Sequence, residues 1–198
     1  FDGDGIRIDD AGGRESAARG VARQSDGKFV VAGSTKSAAG DDDFAVMRCN
    51  ADGTLDPLFG QGGRVTTPLG AGNDIVNGVA IQPNGKIVVV GESDNAGNTE
   101  VALARYNPDG GLDTTFSGDG IEITPGGPES DVGRALTLQP DGKIIVAGSS
   151  VVASIMNLAI QRYLPDGTLD YIVRTTLGTN AAAANAVVLQ PDGKVFPA

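Results

Sequence analysis

Aspartate and asparagine recur at two fixed places ahead of a repeated glutamine. Counting back from Gln24, Gln82, Gln139 and Gln190, the eighth position before holds Ser16, Asp74, Asp131 and Ala182, and the fifth holds Arg19, Asn77, Arg134 and Asn185. If the segments carrying them converge, the side-chain oxygens of Asp74, Asn77, Asp131 and Asn185 form a set suited to Ca²⁺, a hard cation that takes roughly six to eight oxygen ligands. A bound Ca²⁺ could polarise a lactone or ester carbonyl or activate water. That chemistry needs no histidine, and the chain has none. The same lack excludes Ser-His-Asp and Cys-His catalysis and every His-ligated metal site. Against the cation stand two facts: Asp and Asn at strand starts commonly cap turns, and Arg19 and Arg134 would oppose positive charge.

The remaining charged residues fall into two kinds. Arg48, Arg105 and Arg162 recur in register with Asp56, Asp113 and Asp170, and an active site needs to occur only once, so these pairs are expected to be structural ion pairs. Lys28, Lys86, Lys143 and Lys194 follow a turn glycine and are expected to be exposed beside it. Asp2-Gly3-Asp4-Gly5 opens like a calcium loop but lacks the full spacing, which leaves a plain turn. Asp41-Asp42-Asp43 is expected at a solvated loop tip. Glu92, Asp94, Glu100 and Glu129 break the repeat, and a pair of them roughly 5 to 9 Å apart could do acid/base work on a glycoside; surface exposure is the plainer expectation. Cys49, the single cysteine, excludes an internal disulfide and stands where Tyr106 and Tyr163 stand in other copies, on an apolar stretch that predicts a buried thiol.

All these positions belong to one unit of about 57 residues written three times and begun a fourth. Its first anchor is Asp26-Gly27-Lys28, Asn84-Gly85-Lys86, Asp141-Gly142-Lys143 and Asp192-Gly193-Lys194, with steps of 58, 57 and 51 between the glycines. The second is Asp52-Gly53, Asp109-Gly110 and Asp166-Gly167; the third is Phe1, Phe59 and Phe116. A fixed period of this length means one supersecondary unit stacked on its own copies.

In the second copy Asp74–Gln82 reads as a strand with Val79 and Ile81 on one face, and Pro83-Asn84-Gly85-Lys86 as a hairpin turn, since Gly supplies the positive φ. Ile87–Gly91 is an apolar run of strand length, expected to be buried on both faces. A loop over Glu92–Thr99 leads to a third strand, Val101–Tyr106. Asn107-Pro108-Asp109-Gly110 turns the chain again, and Ile121–Thr124 supplies a fourth strand with the alternation of an outer edge. Four antiparallel strands per unit, with Val, Ile and Ala on both faces, make one blade of a β-propeller. In that architecture the strand before the first hairpin lines the central channel, which would gather the Asp, Asn and Arg positions near one mouth. Four-stranded sets can be drawn over 6–50, 64–107 and 121–164, with a partial blade over 172–196, in one repeat domain spanning 1–198. The fold class is therefore all-β, a β-propeller-type array of about three and a half blades. That number closes no ring, so the chain is expected to be a homo-oligomer or part of a longer propeller; its start at Phe1, inside an anchor, suggests a fragment or processed product.

Composition agrees with many short strands and tight turns: 30 glycines, 40% apolar residues, 5% aromatic and no Trp. The formal charge of −10 repels phosphate backbones, so no nucleic-acid partner is expected. No apolar run approaches the ~20 residues of a membrane-spanning helix, so no membrane insertion is expected.

Gln-Pro-Asp-Gly-Lys-Ile-Ile-Val-Ala-Gly (Gln139–Gly148) and Ala-Leu-Ala-Arg-Tyr-Asn-Pro-Asp-Gly-Gly-Leu-Asp-Thr-Thr-Phe (Ala102–Phe116) resemble the delta-60 repeat family, and the resemblance covers essentially the whole chain. It implies a propeller architecture and an extracellular or cell-envelope setting in a bacterial protein. A looser similarity in strand order alone runs to six-bladed propellers of the lactonase and gluconolactonase type. The reading these observations favour is a non-catalytic scaffold or interaction module with a protein or glycan partner. Its alternative is a Ca²⁺-dependent hydrolase of the lactonase or esterase class acting at the channel mouth.

Overall fold

The computed structural model describes residues 15–95, 97–125, 129–176 and 182–198. Three four-stranded antiparallel sheets follow one another along the chain, and a two-stranded piece follows them. The first sheet holds β1 (Ser16–Arg23), β2 (Phe29–Lys36), β3 (Asp42–Cys49) and β4 (Arg64–Thr67). The second holds β5 (Asp74–Ile81), β6 (Ile87–Asn95), β7 (Asn98–Tyr106) and β8 (Ile121–Thr124). The third holds β9 (Asp131–Leu138), β10 (Ile144–Val152), β11 (Ile155–Tyr163) and β12 (Leu169–Thr175), and the last piece pairs β13 (Val187–Leu189) with β14 (Val195–Pro197). Within every sheet the spatial order is the chain order. This is the array of about three and a half propeller blades that the repeat predicts.

The hydrogen-bonded sheets are offset by one strand from the sets 6–50, 64–107 and 121–164. Arg64–Thr67 pairs with Phe44–Met47, behind it in sequence, and Ile121–Thr124 pairs with Val101–Ala104 in the same way. Residues 172–175 likewise belong to the third sheet, where Ile172 pairs with Gln161. After the Asp-Gly turn the chain makes a bridge at Leu55 or Leu112 and a second turn, and the short outer strand then folds back on the strand just completed. The first set began at Ile6, which lies outside the described residues.

Alternation explains how the sheets stack. Ile87, Val88, Val89 and Val90 are all fully buried, yet they divide between two cores. Ile87 and Val89 face Val30, Ala32, Phe44 and Val46 of the first sheet, whereas Val88 and Val90 face Ile144 and Val146 of the third. Successive strand residues point to opposite faces, so a central blade must be apolar at every position of its middle strands. At about 2 kcal/mol per buried aliphatic side chain these four contribute about 8 kcal/mol, against a backbone ordering cost of about 1–2 kcal/mol per residue. Tyrosine hydroxyls tie adjacent sheets: Tyr106 to Thr67 and Tyr163 to Thr124, each at 2.8 Å.

The outermost faces are different. On the free face of the first sheet Val21 is 67% exposed, and a groove lined by Val31, Ala45, Met47 and Thr66 runs beside it. Among the described residues, the far face of the third sheet meets the two-stranded piece, whose Val188 and Phe196 are exposed, and the stretch just ahead of it.

Two hairpins are tighter than expected. The predicted loop over Glu92–Thr99 is mostly strand, because β6 continues to Asn95 and β7 starts at Asn98. Asp42 and Asp43 do not form a loop tip either. They begin β3, where Asp42 pairs with Lys36 at 2.9 Å and Asp43 is buried. The Asp2–Gly5 turn lies outside the described residues.

Candidate functional site

The first strand of each blade is broken at one point by a β-bulge. In β1, Ala18 pairs with Gly33 and Gly20 with Ala32, which leaves Arg19 as the extra residue. In β5 the extra residue is Asn77, and in β9 it is Arg134. In the two-stranded piece, the amides of Asn185 and Ala186 both donate to the carbonyl of Ala198, the same two-against-one arrangement. A bulge swings the strand and re-aims the extra side chain. Its partner must be glycine: a Cβ on Gly33, Gly91 or Gly148 would overlap the carbonyl oxygen of Ala17, Ile75 or Val132.

The four re-aimed side chains meet. Arg19, Asn77, Arg134 and Asn185 line one open cavity of about 340 Å³, one residue from each of the three four-stranded sheets and one from just ahead of β13. The convergence expected for this register therefore occurs. Asn77 Nδ2 also donates to the Gly133 carbonyl at 2.9 Å, which fixes the second sheet to the third. Arg134 Nε is buried and finds no acceptor. Glu92 is half-buried nearby; burial raises its carboxyl pKa, and the guanidiniums of Arg134 and Arg19 partly offset that rise.

The metal-ligand candidates split. Asn77 and Asn185 line the cavity; Asp74 and Asp131 do not. Asp74 is fully buried and its carboxylate accepts from the Leu69 amide at 2.7 Å, the Gly70 amide at 3.2 Å and the Ser93 hydroxyl at 2.5 Å. It caps the crossover between sheets. Asp131 is equally buried and lies 3.4 Å from Arg174, which donates to Ser150 as well. Ser16 takes the same place in the first sheet and meets Thr35 at 3.1 Å, while the Ala182 amide bonds to Met156. Among the described residues no group of three or more His, Cys, Asp or Glu side chains is gathered as a metal site.

The repeated ion pairs form a clamp between sheets. Arg48 Nε donates to Asp56 at 2.8 Å, stacks 4.7 Å over the Phe59 ring and reaches the Pro108 carbonyl in the next sheet. Arg105 repeats this with Asp113 at 2.5 Å, Phe116 at 4.6 Å and the Pro165 carbonyl at 2.5 Å. Lys28 and Lys86 are not exposed as expected; they are part-buried and close the same carboxylates at 2.8 and 2.6 Å. Burial disfavours the charged forms of Asp56 and Asp113. Hydrogen bonds from Lys28 and the Leu58 amide at Asp56, and from Lys86, Thr115 and Arg105 at Asp113, outweigh it and hold both below the usual carboxylate range. The Asp-Gly turns close on themselves, as at Thr54 and Gly111, whose amides bond to Asp52 and Asp109. Asp94 accepts from the Gly97 amide and Glu129 from Ser154, so each holds a local turn. Cys49 is buried, as its apolar stretch predicts.

The residues missed from the sequence were the bulge glycines. Gly33, Gly91 and Gly148 end the apolar run in each copy, and a strand glycine is the signal that would have found the bulge.

Three stretches, 24–59, 82–116 and 139–171, match the family described as a domain of unknown function (DUF5122), β-propeller, together more than half of the chain. They contain the clamp arginines and aspartates; the four cavity residues lie outside all three. A search of curated proteins returns no match.

Proposed function

The chain belongs to the DUF5122 β-propeller family, and from that premise we propose that it is a non-catalytic scaffold and interaction module of a bacterial surface or secreted protein, offering blade faces and loops to a protein or glycan partner. The observation that carries this reading is the clamp. Its Arg, Asp and Lys side chains are consumed in holding one blade to the next. Rigid blades carrying loops are suited to partner binding. The free face of the first sheet fits the reading, because Val21, Val31 and Met47 form there a row of the kind buried between the inner sheets. A second copy of the chain, or another blade of a longer one, would cover it.

Mass in solution, measured by light scattering on the wild type and on Val31→Asp, tests the surface. We expect concentration-dependent association of the wild type that Val31→Asp abolishes. A strictly monomeric, folded wild type would remove self-association. Separately, hydrolysis of lactones or esters that requires Ca²⁺ and stops with Asn77→Ala would overturn the non-catalytic reading.

A further inference from the structure

We propose that the cavity lined by Arg19, Asn77, Arg134 and Asn185 is an oxyanion-binding site for a small hydroxylated ligand carrying a carboxylate or phosphate group. It stands apart from the scaffold reading, since neither the clamp nor the free face of the first sheet uses any of the four residues.

Charge is the first argument. The protein is strongly acidic, and its clamp and turn cations are matched with carboxylates. Arg19 and Arg134 instead share a cavity with two neutral amides. Two guanidiniums facing one space repel unless an anion lies between them. Glu92 is near enough for both guanidiniums to offset part of the rise that burial gives its carboxyl, but it does not line the cavity.

Hydrogen bonding is the second. A buried donor without an acceptor is costly, and Arg134 Nε is one. A guanidinium presents its donors as a planar fork that matches the two oxygens of a carboxylate or phosphate. The carboxamides of Asn77 and Asn185 add neutral polar groups, and a carboxamide oxygen accepts from a ligand hydroxyl.

Geometry is the third. Arg19, Asn77 and Arg134 each stand on a bulge held open by a glycine that tolerates no Cβ, so these side chains are aimed in advance of any ligand. A volume of about 340 Å³ lies at the lower end of the range of small-molecule pockets, roughly 300–1,000 Å³. In addition, the position reads Arg, Asn, Arg, Asn along the four copies, whereas the clamp positions repeat the same residue. A set that varies where its neighbours repeat is built for one site, not for every blade.

Calorimetric titration of the intact chain at low ionic strength with glucuronate, and separately with inorganic phosphate, tests this. Arg134→Gln, Arg19→Gln and a control, Arg23→Gln at an exposed arginine that does not line the cavity, are measured beside the wild type. We expect one equivalent to bind, with at least about tenfold weaker affinity in either cavity variant and no change in the control. Preference for glucuronate assigns the carboxylate class; preference for phosphate assigns the phosphate class. Arg19 is exposed, so its variant keeps the test valid if Arg134→Gln fails to fold. Absence of heat with both anions overturns the proposal, as does binding that all three variants weaken alike. Ca²⁺ binding strengthened by the two cavity variants would overturn it too.

Discussion

Arg105 and Arg162 occupy the same place in successive copies, and each meets the aspartate eight residues on: Arg105 Nε to Asp113 at 2.5 Å, Arg162 Nε to Asp170 at 2.7 Å. Around Arg105 the clamp is complete. Phe116 lies under the guanidinium, the Pro165 carbonyl of the third sheet accepts from it, and both side chains are 6% exposed or less. Around Arg162 the ring beneath is Tyr171, the pair is 28% and 30% exposed, and Lys143 turns to its own neighbour Asp141 instead of Asp170. What differs is the neighbour. Arg105 is covered by the turn at Pro165 of the following blade, and among the described residues no such turn reaches Arg162. The same residues form a buried clamp inside the array and a solvated ion pair at its end.

Substituting each arginine should separate the two most. Arg105→Ala leaves Asp113 buried and is expected to lower unfolding free energy by about 3 kcal/mol or more, whereas Arg162→Ala should cost less than about 1 kcal/mol. Denaturant unfolding of both reads this directly, and equal losses would mean that burial by the next blade is not what makes the clamp. Tyr106→Phe removes the hydroxyl bonded to Thr67 and leaves that buried threonine unpaired, an expected loss of about 1–2 kcal/mol by the same measurement.

Acid probes the carboxylate side. Because the folded-state values of Asp56 and Asp113 are depressed, their contribution is complete above about pH 4 and is lost as pH falls toward those depressed values. Melting temperature should therefore fall progressively below about pH 4, and Asp113→Asn should make that slope shallower. The smallest effects belong to the lysines. Lys86→Ala should cost about 1 kcal/mol through the Asp113 pair, and Lys143→Ala close to nothing, as for an exposed pair. A large loss at Lys143 would show that the terminal clamp draws on it in solution.

Much of this was readable in residue order. Asp-Gly and Asn-Gly between apolar runs mark the first hairpin turn of each copy, at Gly27, Gly85, Gly142 and Gly193, and all four glycines have positive φ. The repeated Arg and Asp positions revealed a structural pair because they recur once per blade. Other points were not readable. Lys28 looks like any surface lysine beside a turn, and only the fold brings Asp56, 28 residues away, to its ammonium group. Asp74 has the chemistry of a metal ligand, but the amides of Leu69 and Gly70 take its carboxylate. Residue order leaves open whether Arg64–Thr67 pairs with the strand before it or the strand after it, and the fold pairs it with β3.

Residue order by itself determined the period, the strands, the turn chemistry and the all-β class. Each of these rests on local physics: alternation of side chains along a strand and the positive φ that a tight turn requires. Tertiary structure alone decided which carboxylates are buried, which face of each blade is covered, and that four side chains from separate copies of the unit line one cavity. Those outcomes depend on distances between residues some 57 positions apart, which are set by how one blade packs on the next.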